Sequence, residues 1–167
     1  MIVTDETTCM VEFAKYFTQF VCDESCGKCP PCRIGSTRML ELLEGITDGR
    51  GKPEDLDEIR RIAAGMRVSS LCALGQLAPD PVMSTLRHFE DEYRAHIEEH
   101  RCPARQCQAL LTYTIDPAAC TGCTLCARKC PVDAITGDVR QTHVIDQATC
   151  IRCGTCEAVC NFDAVRV

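Results

Sequence analysis

The sequence predicts an α+β chain, a small helical bundle joined to a short-stranded domain organised around cysteine. Three observations predict it. Sixteen of the 167 residues are cysteine, several times ordinary usage. Apolar residues recur at helical spacing over roughly the first 98 residues. From about residue 112 the chain repeats itself with an offset of 30 residues. The predicted organisation is a bundle over 1–98, a linker over 99–111 and a second domain over 112–167.

Four apolar patterns define the bundle. Met10, Phe13, Ala14, Phe17 and Val21 share one face of a first helix. Met39, Leu40, Leu42 and Leu43 form a second patch, ended by Gly45. Leu56, Ile59, Ala63 and Met66 follow a start marked by Pro53, Glu54 and Asp55. Val82, Leu86, Phe89, Tyr93 and Ile97 trace one stripe on a long helix opening at Pro79–Pro81. Glu90 and Arg94 should pair on its wet side. Four short amphipathic helices make a small bundle.

Charge narrows the function. The formal net charge is −6, which gives no general attraction to nucleic acid or to an anionic membrane. The least charged stretch, Val68 to Leu86, contains Pro79, Asp80 and Pro81 and cannot span a bilayer. Met1 to Phe13 carry acids rather than a basic segment ahead of an apolar run. No signal peptide is read there, and the expected compartment is the cytoplasm.

Cysteine spacing carries the chemistry. Nine of the sixteen cysteines fall in three triplets spaced by two residues. Secreted scaffolds spread cysteines to staple distant loops, whereas triplets converge on one point and suit a metal centre. In the second domain, Cys120-x-x-Cys123-x-x-Cys126-x-x-x-Cys130 recurs as Cys150-x-x-Cys153-x-x-Cys156-x-x-x-Cys160, each flanked by Ile-Asp before and Asp-Ala-Ile/Val after. Three thiolates at this spacing wrap one corner of an iron–sulfur cubane, and the fourth cysteine serves the other copy's cluster. Cluster A is therefore assigned to Cys120, Cys123, Cys126 and Cys160, and cluster B to Cys150, Cys153, Cys156 and Cys130. Zinc knuckles are the alternative, but they use ligand pairs across a longer loop. The domain resembles a bacterial two-cluster ferredoxin. Pro131 after Cys130 fits that pattern and Asn161 after Cys160 departs from it. An added N–H beside cluster A should raise its potential.

A third site lies in the bundle: Glu24-Ser25-Cys26-Gly27-Lys28-Cys29-Pro30-Pro31-Cys32-Arg33, then Ser70-Leu71-Cys72-Ala73-Leu74-Gly75. Gly27 lets the loop curl, and Pro30–Pro31 can open a helix whose N-terminus faces an anionic core. Four thiolates around zinc are the alternative here. This segment resembles the cluster-bearing helical domain of the NADH-oxidising flavoprotein subunit of respiratory complex I. The resemblance implies a [4Fe–4S] cluster on Cys26, Cys29, Cys32 and Cys72, fed from a flavin on preceding domains. With Cys102-Pro103-Ala104, Cys107 and the ferredoxin-like domain added, the whole chain resembles the beta subunit of multimeric NAD(P)-linked [FeFe]-hydrogenases, electron-bifurcating ones included, and of related formate dehydrogenases.

Four cysteines remain: Cys9, Cys22, Cys102 and Cys107. A structural zinc site needs about four N or S ligands. Cys102 and Cys107 with His96 supply three, and Cys9 supplies the fourth by the resemblance, which carries a cysteine in its T-T-C-M-V stretch. His100 competes with His96, and buried unligated thiols are the alternative to a site. Such a zinc would pin the linker to the bundle. Cys22 reads as a small buried residue, and His88 and His143 as surface histidines.

No glycine-rich phosphate loop and no Ser/His/Asp or Cys/His catalytic set is present. The chain is therefore expected to bind no FMN or NAD itself. It is expected to be the C-terminal part of a longer protein or a naturally separate subunit. The expected function is single-electron transfer through three [4Fe–4S] clusters, with zinc as a structural ion. Electrons would pass between a flavin/NAD(P)-binding domain or subunit and a low-potential partner, a hydrogenase or other redox subunit or a ferredoxin. A zinc-only structural or regulatory module is the rival from a different class.

Overall fold

The computed structural model describes residues 3–167. Residues 1 and 2, which open the predicted bundle and the stretch read for a signal, lie outside the described residues. The chain divides into two compact units, the first running to Leu110 and the second from Leu111 to Val167.

The first unit is helical: α1 (Met10–Glu24), α2 (Pro30–Thr47), α3 (Pro53–Ser69), α4 (Ala73–Leu77), α5 (Asp80–His88) and α6 (Glu90–Glu98). Cys9 caps α1, its Sγ accepting the Glu12 N–H at 3.4 Å. The buried face of α1 is Met10, Val11, Ala14, Thr18 and Val21, rotated from the predicted one. Phe13 and Phe17 are half-buried and stack edge-to-face at 4.8 Å. Thr18 can turn inward because its hydroxyl donates to the Ala14 carbonyl at 2.8 Å.

Helix α2 has prolines in its first turn, where the missing N–H costs nothing. It runs through Gly45, which is buried inside the helix. The left-handed residue that turns the chain is Gly49, with φ +75°. At α3 the Asp55 carboxylate accepts the Lys52 N–H at 2.8 Å, and Leu56, Ile59, Ala63 and Met66 are all buried as predicted.

The predicted long helix is broken at Phe89, whose φ/ψ of −135°/35° leaves the helical region. Val82, Leu86, Tyr93 and Ile97 are buried, while Phe89 is 44% exposed. The break brings the Tyr93 hydroxyl within 2.8 Å of the Thr85 hydroxyl, so two buried hydroxyls satisfy each other. Glu90 and Arg94 pair at 2.7 Å as expected. Met39, Leu43, Ile46, Ile59, Met66, Leu86 and Tyr93 fill the core, each fully buried side chain stabilising by about 1.5–3 kcal/mol. Most of the predicted linker belongs to this unit, because Cys102, Cys107 and Leu110 are buried in the same core.

The second unit is a pair of interlaced repeats. Strand β1 (Thr114–Ile115) pairs antiparallel with β4 (Val165–Arg166), and β2 (Ile135–Thr136) with β3 (Val144–Ile145). Each copy's opening strand thus pairs with the other copy's closing strand. The exchange continues past the strands: Asp116 N–H donates to the Ala164 carbonyl at 2.7 Å, and Asp146 N–H to the Ala134 carbonyl at 2.8 Å. Short helices α7 (Leu125–Lys129) and α8 (Thr155–Ala158) follow the cysteine loops. Leu111, Tyr113, Ile135, Ile145, Cys156 and Val165 form the core. Among the described residues, no helix is long and apolar enough to cross a membrane.

Candidate metal centres

In the second unit, two cavities are each walled by four cysteines. One is lined by Cys120, Cys123, Cys126 and Cys160, together with Ile115, Phe162, Val165 and His143. The other is lined by Cys130, Cys150, Cys153 and Cys156, together with Tyr113, Ile135 and Ile145. Each wall takes three cysteines from one copy and the fourth from the other, which is the grouping the spacing predicts. Strand exchange causes it, because each closing strand carries its preceding cysteine across. Backbone amides point at the sulfurs: Ala134 N–H donates to Cys130 Sγ at 3.3 Å, and Ala164 N–H to Cys160 Sγ at 3.4 Å. Burial pushes the Cys126 and Cys156 thiols up. The Thr155 hydroxyl, 3.2 Å from Cys153 Sγ, pulls that thiol down. The cysteine spacing does not mark Thr155; the one signal in the sequence is that its counterpart 30 residues earlier, Leu125, has no hydroxyl. Asn161 is exposed.

In the first unit, Cys29 and Cys32 are buried, while Cys26 and Cys72 are exposed. Cys29 caps α2 and Cys72 caps α4. The two segments meet, since the Leu71 backbone N–H holds the Cys29 thiol below its ordinary range. Gly75 lets α4 press on α2, because a Cβ there would lie 3.0 Å from Cys32 Cβ and 2.7 Å from Ser70 Cβ. Ser25 Oγ lies 3.4 Å from Cys32 Sγ, and Arg33 ties the loop by donating to the Gly27 carbonyl at 2.6 Å.

The fourth constellation is Cys9, His96, Cys102 and Cys107, all buried, with their ligand atoms within 4.8 Å of one another. His96 Nε2 lies 3.3 Å from both Cys9 Sγ and Cys107 Sγ, and those sulfurs are 3.7 Å apart. A tetrahedral zinc with Zn–S of about 2.3 Å spaces its sulfurs about 3.8 Å apart. His96 Nδ1 donates to the Glu92 carbonyl at 2.7 Å, which orients the ring and leaves Nε2 to face the sulfurs. His100 is exposed and stands outside the group. Burial alone would lower the His96 pKa, but the Cys102 and Cys9 sulfurs overcome it and push it up to about 10. Cys102 is driven down and Cys107 up by their mutual hydrogen bond. Cys22 is half-buried, with its thiol raised by burial, and His88 is exposed. His143 is a correction: expected at the surface, it is buried at 1% exposure.

Residues 12–96 match the NADH-ubiquinone oxidoreductase-F iron-sulfur binding region. The chain belongs to this family. Residues 119–164 of this oxidoreductase-F-type chain also match a 4Fe-4S dicluster domain. It is 52% identical over 141 residues to the NADP-reducing hydrogenase subunit HndC of Solidesulfovibrio fructosivorans, covering 84% of this chain and 29% of HndC. It is 36% identical over 99 residues to the NADP(+)-dependent formate dehydrogenase subunit beta of Moorella thermoacetica, covering 59% and 14%. The crystal structure of an NAD+-reducing [NiFe]-hydrogenase in the H2-reduced state superposes with TM-score 0.56 at 31% identity, over 57% of this chain and 17% of that one. The chain thus spans less than a third of the relatives it matches. It is an iron–sulfur electron-transfer module homologous to those proteins.

Proposed function

We propose that this module holds three [4Fe–4S] clusters and one zinc ion and forms the electron-relay end of a cytoplasmic NAD(P)-linked hydrogenase of the HndC kind. Its partners would be a flavin/NAD(P)-binding domain or subunit and a hydrogenase or other redox subunit, with ferredoxin as the alternative low-potential partner. Electron bifurcation belongs to this reading and depends on that flavin. The observation that carries it is the pair of cavities, each walled by three cysteines of one repeat and one of the other. When bound, each cluster supplies a site that takes up and returns one electron.

The residues of the chain set the conditions for that transfer. Cys26, Cys29, Cys32 and Cys72 would hold one cluster, Cys120, Cys123, Cys126 and Cys160 the second, and Cys130, Cys150, Cys153 and Cys156 the third. Thiolate suits these soft cores. Apolar walls such as Ile135 and Ile145 keep water from the sulfurs, and hydrogen bonds to sulfur tune each potential. Cys9, His96, Cys102 and Cys107 would hold zinc and fasten residues 102–107 to α1 and α6. Exposed Val68, Leu71 and Leu77 flank Cys72 in sequence and offer apolar surface to a covering partner.

Metal analysis of the chain purified without oxygen tests the reading. About twelve irons with matching acid-labile sulfide and one zinc are expected per chain. Zinc without iron would establish the structural-module alternative. Co-purification with a hydrogenase catalytic subunit, rather than a formate dehydrogenase one, would separate those two oxidoreductases.

Thr155 offers a finer test. A ligating Cys153 has no proton, so the Thr155 hydroxyl must donate to it. Thr155→Val should lower one of three midpoint potentials in a spectroscopic redox titration, and Thr155→Ser should restore it. Three unmoved potentials would remove Thr155 from the tuning set.

A further inference from the structure

We propose that the Thr155 hydroxyl and the Arg152 backbone N–H make the two cysteine sites of the second unit unequal, holding cluster B at the higher potential, so that cluster A is filled last and is the stronger reductant. This inference rests on the cluster reading above. Both donors lie within hydrogen-bond distance of a cysteine sulfur. An alcohol and an amide also keep their hydrogens at every working pH, so the inference depends on no titration.

The internal repeat supplies the comparison. One pair of donors cancels: Ala134 N–H donates to Cys130 Sγ at 3.3 Å in site B, and Ala164 N–H to Cys160 Sγ at 3.4 Å in site A. Two donors have no twin. Arg152 N–H donates to Cys150 Sγ at 3.4 Å, and the Thr155 hydroxyl lies 3.2 Å from Cys153 Sγ. The residues 30 positions earlier are Gly122 and Leu125, and among the described residues neither bonds to a sulfur. A donor beside sulfur stabilises the more negative, reduced core. Two extra donors weight a single electron toward cluster B by about tenfold, a gap of about 59 mV.

The backbone accounts for the difference at the first position. Gly122 and Arg152 share the left-handed region, with φ +68° and +56°. The loop from β2 to β3 closes on Gly122: Arg140 N–H donates to its carbonyl at 3.0 Å, and a Cβ there would lie 2.4 Å from the Gln141 nitrogen. The first copy thus excludes a side chain at this position. The second copy carries arginine in a conformation that favours glycine, and so sets a permanent cation between Cys150 and Cys153 in sequence. That charge acts in the same direction as the two donors. Nothing comparable serves site A. His143 stands in the cavity wall of that site, closed in by Gly137, where a Cβ would lie 2.8 Å from the imidazole Cγ. Among the described residues its Nε2 has no hydrogen-bond partner. Asn161, the donor expected there from sequence, is exposed. The proposed order is therefore the reverse of the one Asn161 suggests.

The test is a redox titration of the cluster-replete full chain, followed by EPR. Cys160→Ala should delete the lower-potential signal of the second unit, and Cys130→Ala the higher. Leu125→Thr, which copies the second repeat, should raise the lower potential. Thr155→Leu, which copies the first, should lower the higher one. Each of these two variants should narrow the gap and leave the signal of the first unit unmoved. Equal potentials in the unaltered chain would overturn the proposal, as would loss of the higher signal in Cys160→Ala or a gap unchanged by both Leu125→Thr and Thr155→Leu. Iron analysis separates the two failures. A chain without iron overturns the cluster reading and this proposal with it, whereas about twelve irons with equal potentials overturn this proposal alone.

Discussion

Replacing Cys160 with alanine should strip iron from the site of the first repeat's triplet, Cys120, Cys123 and Cys126, and spare the site of its own. Iron should fall from about twelve to about eight per chain, with one reduced-cluster signal lost. The reason is the strand exchange that sets Cys160 in the wall of the first repeat's cavity. Cys130→Ala should give the reciprocal loss at Cys150, Cys153 and Cys156. Loss of iron from the mutated copy's own triplet in either variant would overturn the crossed assignment.

Replacing His96 with alanine should release zinc and cost the first unit more than about 4 kcal/mol, the range of changes that remove a structural metal. The thermal midpoint should drop by more than about 10 °C. His100→Ala should leave zinc content and melting unchanged, since His100 is exposed. Equal melting of both variants with zinc retained would remove the site. Acid should act in the same direction as the first variant. Without a cation the sulfurs hold a proton on His96 up to about pH 10. Zinc must displace that proton at neutral pH, so its affinity should fall as the pH is lowered.

What the sequence discloses is whatever local spacing dictates. Three cysteines two residues apart must converge wherever the chain goes, and a 30-residue repeat states its own symmetry. The apolar pattern of α3 is equally legible, because no buried polar group interrupts it. What the sequence conceals depends on distant partners. Thr18 reads as polar, and so as outward, until its hydroxyl finds the Ala14 carbonyl. Phe89 fits the helical stripe by spacing, yet the chain breaks there and the Thr85 and Tyr93 hydroxyls meet. Gly45 carries a stop signal, but the turn needing positive φ falls at Gly49. His143 has neighbours in sequence that look like a solvated turn. Its burial comes from Gly137 and the cysteine cavity, and only the alignment of the two repeats, which sets Tyr113 opposite it, hints at a shared inward position.

The crossing of strands and fourth cysteines has a consequence for inheritance. The ancestral doubling has become irreversible: excising either copy would leave two unpaired strands and a three-legged cage rather than a smaller working unit. Truncation products of this region should therefore be all or nothing, and half-length fragments should be cleared by proteases instead of persisting as single-cluster carriers.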